Sequence, residues 1–176
     1  GEPVGHPLDP LTPLHVVADL PAGEAIGGPD DAARWRLEGS VLAAAQLLGI
    51  AGATVELGTA YAKEREQFGK PIGTFQAVKH ILADMLTRAE VARAAVYAAG
   101  VTLDDPSVGD PARAAHGAKL IAGEAAIANG KSCIQVHGGM GFTWEVDAHL
   151  YLKRAFVLDT VFGGADEHAE AMAALL

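Results

Sequence analysis

Two short stretches carry side chains of the kinds that hold a phosphate and an aromatic ring. The first is Arg65-Glu66-Gln67-Phe68-Gly69. A guanidinium offers a planar fork of donors that matches a diphosphate, and a neighbouring Phe can stack on a ring. The plain alternative is an arginine favoured by the negative end of a helix. The second stretch is Gly138-Gly139-Met140-Gly141, where missing side chains let a backbone approach a phosphate closely. A dinucleotide fingerprint needs a strand before its glycines. Here the preceding residues read as helix, so the alternative is a helix–helix turn with Gly at the C-cap.

Other chemistry finds less support. The chain has seven histidines, but no two stand four residues apart and no HExxH occurs, so no metal site is expected. His80, His116 and His149 read as surface residues or as buried, hydrogen-bonded ones. No GxSxG elbow marks a nucleophilic serine. The single cysteine, Cys133, lies in an Ala/Ile-rich stretch and reads as a small buried hydrophobe.

The elements that position these groups are helices. Residues 1–30 hold Pro3, Pro7, Pro10, Pro13, Pro21 and Pro29 and cannot be helical; Leu14–Val17 is a candidate short strand. No proline occurs from Ala32 to Gln67, and Leu37, Val41, Ala44, Leu48, Ala51, Val55 and Ala62 recur at helical spacing. Asp30 or Asp31 is the expected cap of this first helix, and Gly69 with Pro71 its end. Thr74 is the expected cap of a second helix with Val78, Leu82, Met85, Ala89 and Val96 on one face, stopping near Gly100. Residues 101–110 read as a loop. Asp110-Pro111 opens a third helix that runs to about His137. A fourth begins near Glu145 and passes Leu158 before Gly163-Gly164 interrupts it, and residues 165–176 read as helix again. The pattern is all-α: a four-helix up-down bundle over residues 31–176, preceded over residues 1–30 by a linker or the tail of a β domain.

Half of the 176 residues are hydrophobic and the net charge is −9. An acidic chain repels phosphate backbones, so nucleic acid is not an expected partner. No apolar stretch reaches the roughly 18 residues of a membrane span, and the first residues lack the basic and apolar regions of a signal peptide.

The run YAKEREQFGKPIGTFQAVKHILADM, residues 61–85, resembles a signature of the acyl-CoA dehydrogenase family. QVHGGMGFTWEVDAHLYLKRA, residues 135–155, resembles a second one in the same order. The resemblance covers residues 31–176 and implies the family's C-terminal four-helix domain. It implies FAD as cofactor, with Arg65, Gln67 and Phe68 at the diphosphate and adenine end. Ile72 and Phe75 would line the adenine pocket, and Gln135 with the backbone of Gly138 and Gly139 would hold the same region. It also implies removal of two hydrogens from an acyl-CoA thioester, an electron-transfer flavoprotein or similar acceptor, and a cytoplasmic oligomer.

The match breaks at the catalytic base. The family's Tyr-Glu-Gly-Thr-like segment corresponds to Val161-Phe162-Gly163-Gly164-Ala165, and the Glu position is read as Gly163. Other members place the base on the first helix of this domain, at a site that falls on Gly39. Glu38 is adjacent but turned by about 100°. A glycine side chain accepts no proton, whereas general base catalysis needs a carboxylate within reach. Three readings follow. The chain is the base-less subunit of a mixed oligomer, unable to dehydrogenate by itself, like the heteromeric family members of bacterial steroid side-chain breakdown. Or the base of a homo-oligomer has moved, to Glu167, Asp159 or Glu38. Or the chain is a non-enzymatic helical interaction module, which would have no need of REQFG and QVHGGMG.

Overall fold

The computed structural model describes residues 1–175. It is built from helices α1 (Pro29–Glu64), α2 (Gln76–Asp104), α3 (Pro111–His137), α4 (Ala148–Thr160) and the short α5 (Ala165–Ala173). Two minimal antiparallel pairs accompany them: β1 (Glu2–Pro3) with β2 (His15–Val16), and β3 (Glu66–Gln67) with β4 (Lys70–Pro71). The bundle expected from the sequence is therefore present, with α5 added after the glycine break.

The ends of the helices follow local chemistry, with some shifts. Gly28, not Asp30, stands at the N-cap of α1, and Asp31 reaches back to accept from the Gly28 N–H at 2.8 Å. Asp110 caps α3 by accepting from the Arg113 N–H, with Pro111 in the first turn as expected. Phe75 rather than Thr74 is the N-cap residue of α2; the Thr74 hydroxyl donates to the Pro71 carbonyl at 2.7 Å instead. α2 passes Gly100 and ends at Asp104, because one glycine costs a helix only about 1 kcal/mol, which packing recovers at buried Ala99 and Thr102. The α4 start falls at Ala148, three residues beyond Glu145.

Alanine sets the packing. Ala44 and Ala51 of α1, Ala92 and Ala99 of α2, and Ala115, Ala122 and Ala126 of α3 are fully buried, with Leu47 between them. Side chains this short let helix axes approach closely, and dispersion contacts then accumulate along the shared faces. α1 contains an 18-residue window of mean hydropathy 1.6, apolar enough to cross a membrane by length and composition. This corrects the sequence reading that no segment qualifies. Half of that window is buried inside the bundle, as suits a core helix.

One polar side chain stands at the centre. Asn129 of α3 is fully buried, and its amide donates to the Ala51 carbonyl of α1 at 3.2 Å and the Met85 carbonyl of α2 at 2.9 Å. Its oxygen accepts from Arg88 Nε at 2.9 Å. One residue thus fixes three helices in register, because a buried amide must be satisfied. At the N-terminal side, buried Asp9 accepts from the Leu11 N–H, the Thr12 hydroxyl and Arg154 of α4. Burial alone would raise its pKa, but Thr12, Leu11 and Arg154 outweigh that and hold the carboxyl below its ordinary value. The Pro-rich segment is thereby tied to the bundle.

Asn129→Ala is expected to lower stability by about 1–3 kcal/mol, the cost of stranded buried polar groups. Urea unfolding checks this, and an unchanged midpoint would remove Asn129 from its role.

Candidate functional site

The C-terminal ends of α1 and α3 lie side by side. Tyr61 stacks on His137 with ring centroids 4.2 Å apart and planes 26° apart. His137 is in turn fixed by donating from Nδ1 to the Cys133 carbonyl at 2.8 Å. Sequence reasoning missed this stack, which brings the two chemistry-bearing stretches to one end of the bundle.

The REQFG segment is a tight hairpin, not the last turn of a helix. Glu66 faces Pro71 and Gln67 faces Lys70 across a two-residue turn. The turn residues Phe68 and Gly69 have φ of 53° and 77°, the left-handed pair that suits the twist of two-residue hairpins. Such backbone is unusual for Phe. It presents the ring almost entirely to solvent, 92% exposed, with only the half-buried Phe75 edge-on at 6.0 Å. Lys70 Nζ stands 4.5 Å over the Phe75 ring. Arg65 is exposed and makes no ion pair among the described residues, while its carbonyl accepts from the Ile72 N–H at 2.8 Å. Gln67 is exposed and Ile72 half-buried.

At the end of α3, Gly138 adopts φ 61° at the C-cap and a 3-10 turn runs from Gly138 to Phe142. Gln135, Gly138 and Gly139 line an open cavity of about 240 Å³ with Lys131, Phe142 and Leu152. Nothing lies within 4 Å of a Cβ placed on Gly138 or Gly139, so the backbone there is open to a ligand. Phe142 and Trp144 are about three-quarters exposed beside it. The expected residues thus form two neighbouring exposed half-sites. An unpaired guanidinium, a projecting aromatic ring and bare backbone fit a flat, anionic, ring-bearing group.

A second cluster surrounds the loop between α4 and α5. Phe162 has φ 59° and Gly163 has φ 109°. A Cβ on Gly39 of α1 would lie 2.4 Å from the Phe162 ring, so that glycine is the space the ring occupies. Gly39 and the α4–α5 loop, distant in sequence, therefore meet. The side chain that faces Gly39 is that of Phe162, one residue before Gly163. A Cβ on Gly163 would instead meet Glu167 Oε2 at 3.0 Å and His168 Nε2 at 3.2 Å. Asp159 turns away toward α3, against Gly123, and lines a cavity of about 490 Å³ with Glu124 and Lys131. Glu38 is bound on the surface by Arg34 at 2.7 Å.

Other groups are settled by burial. Desolvation pushes the Cys133 thiol up to about 11, so little reactive thiolate forms near neutrality. No group of three or more His, Cys, Asp and Glu is arranged to hold a metal among the described residues. His116 pairs with His168, Nδ1 to Nδ1 at 2.8 Å. His149 was expected to be either exposed or satisfied. It is neither: it is buried edge-on against Trp144, and neither ring nitrogen has a partner among the described residues. Lys119, buried under the α4–α5 loop, was also missed; its one sequence signal is a lysine within the alanine-rich face of α3.

The sequence model described as acyl-CoA dehydrogenase, C-terminal domain, matches residues 32–174. The chain is similar to acyl-CoA dehydrogenase FadE34 of Mycobacterium tuberculosis, 49% identical over 132 residues, which are 75% of this chain and 19% of that protein. Its fold matches butyryl-CoA dehydrogenase from Megasphaera elsdenii with a TM-score of 0.80 at 29% identity, covering 87% of this chain and 39% of that one. It also matches a chain of the ChsE4-ChsE5 complex from Mycobacterium tuberculosis, TM-score 0.78 at 28% identity, covering 85% and 40%. The chain thus spans from a fifth to two fifths of these proteins' lengths.

Gly39→Ala is expected to push the Phe162 ring out of its seat, since the added methyl and the ring cannot share the space. Limited proteolysis at the α4–α5 loop reads this, and cleavage no faster than in the parent chain would refute the packing.

Proposed function

The chain belongs to the acyl-CoA dehydrogenase family, and on that footing we propose that it is the FAD-supporting part of an assembly that dehydrogenates an acyl-CoA thioester. In this reading its own base positions are vacant and a second subunit of the same family carries the carboxylate. Members of the family are flavin-dependent. The observation that carries the reading is the contact of Phe162 with Gly39. The loop position that would hold a base corresponds to Phe162 rather than Gly163, because Phe162 is the loop residue that faces α1. Neither Phe162 nor Gly39 accepts a proton.

The exposed end of the bundle supplies what binding requires. Arg65 donates to the diphosphate as a fork. Phe68, with Ile72 and Phe75 behind it, covers the adenine ring. Gln67 and Gln135 offer amide hydrogen bonds, and Gly138 and Gly139 leave their backbone accessible. When bound, FAD supplies the hydride-accepting chemistry, and the protein's part is orientation. A projecting Phe68 and an unpaired Arg65 suit a cofactor shared with a neighbouring subunit, so a heterotetramer belongs to the same proposal. So do a cytoplasmic location and reoxidation by an electron-transfer flavoprotein. The fold match to a chain of the ChsE4-ChsE5 complex, an assembly of two named components, supports the two-subunit reading.

The test is flavin content and flavin bleaching by acyl-CoA, for the natural full-length chain alone and with its nearest genomic neighbour of the family. Bleaching only with the neighbour is expected; full bleaching by the chain alone overturns the reading. Arg65→Ala is expected to weaken flavin retention by about 1.5–3 kcal/mol, the scale of a hydrogen bond to a charged group, and equilibrium dialysis of flavin measures it.

A second reading rests on Glu167, whose carboxylate reaches within 3.0 Å of the Gly163 Cβ position. If it is the relocated base of a homo-oligomer, Glu167→Gln abolishes bleaching in the chain alone while flavin content stays constant.

A further inference from the structure

α5 is held to the bundle by unusual means. Its one buried residue is His168, 3% exposed. The His168 Nδ1 faces Nδ1 of His116 on α3 at 2.8 Å, with the rings tilted at 55°. Its Nε2 is buried without a partner among the described residues. Beside the pair, Lys119 of α3 is 1% exposed, and its ammonium donates to the Asp159 carbonyl at 2.7 Å and the Gly163 carbonyl at 3.1 Å. Lys119 thus ties down the last turn of α4 and the loop that carries Phe162, whose left-handed backbone needs such support. Arg113 adds a peripheral bond to the Leu175 carbonyl at 2.7 Å.

Two facing Nδ1 atoms share one proton: one donates and the other accepts. A second proton would place two imidazolium charges in contact, next to an ammonium. The surroundings offset this only in part, since burial still lowers the pKa of all three groups. Asp110, at the start of α3, favours charge on His116, and Asp159 of α4 favours charge on Lys119. On α5, Asp166 and Glu167 are exposed to solvent. The Phe162 and Gly163 backbone beside His168 favours charge on it, but less than burial and the two neighbouring cations oppose it.

We propose that the His116–His168 pair, braced by Lys119, is a proton-operated clamp: neutral, it holds α5 and the Val161–Gly164 loop on α3 and seats Phe162 on Gly39, and doubly protonated it releases them. The clamp concerns this chain alone and stands whether or not a second subunit carries the base.

The sign of the dependence follows from burial. Desolvation lowers the pKa of both histidines, and the charges of Lys119 and His116 lower that of His168 further. The released state therefore binds more protons than the clamped one. The clamp is fully stable above the ordinary histidine value of about 6.5 and weakens as the pH falls below it.

Hydrogen exchange of the full-length protein, followed by mass spectrometry at pH 7.5 and 5.5 and corrected for intrinsic rates, tests this. Protection over residues 161–175 is expected to fall at least about tenfold at the lower pH, while α1 stays protected. In His116→Asn, whose amide oxygen still accepts from His168 Nδ1 but takes no proton, the drop is expected to shrink to under about threefold. Equal protection at both pH values overturns the clamp. So does a loss that spreads equally into α1, or a loss in His116→Asn as large as in the parent protein.

Discussion

The close approach of α3 to α1 and α2 is the constraint on which the rest depends. Fully buried alanines line all three faces, with Leu47 packed among them, so the close-packed helices have little room to shift register. Asn129 converts that proximity into a fixed alignment, because its amide bonds to carbonyls of both neighbours. A slip of either helix would bury those polar groups without partners, which costs more than any single contact gains. With the alignment set, the C-terminal ends of α1 and α3 must finish together. The Tyr61–His137 stack closes that end.

From that junction the chain projects its exposed chemistry. The chain leaves α1 in extended backbone at Arg65 and reverses through left-handed backbone at Phe68-Gly69, whereas it leaves α3 directly through left-handed Gly138. These sharp exits keep Phe68 and Arg65 out of the core and leave bare backbone at Gly138 and Gly139. A site assembled at helix ends is also open on one side, which suits a flat cofactor completed by another surface.

The opposite business of the fold takes place around the α4–α5 loop. A large ring in left-handed backbone, a glycine that makes room for it, and a buried lysine bonded to two carbonyls form one unit. Two of the glycines there have a steric reason. Gly39 leaves space for Phe162, and Gly163 takes a backbone angle that other residues rarely adopt. Neither Gly39 nor Phe162 carries a carboxylate, and any side chain added at Gly39 would collide with the Phe162 ring.

The sequence by itself determined the helices, because alanine periodicity and the Asp110-Pro111 and Gly163-Gly164 punctuation act within a few residues of chain. It also brought out the two long motifs on which the proposed flavin contacts rest, because each motif is contiguous in the chain. Local patterns misplaced some ends, as at Gly100 and Thr74, where packing outweighed small differences of propensity. Only the tertiary structure decided that REQFG is a hairpin, that Phe162 rather than Gly163 faces Gly39, and that His116, Lys119 and His168 meet. Those pairings join residues far apart in the chain, and their energies come from burial and from hydrogen bonds across helices. No local spacing encodes such contacts; they exist only once the alanine faces have closed.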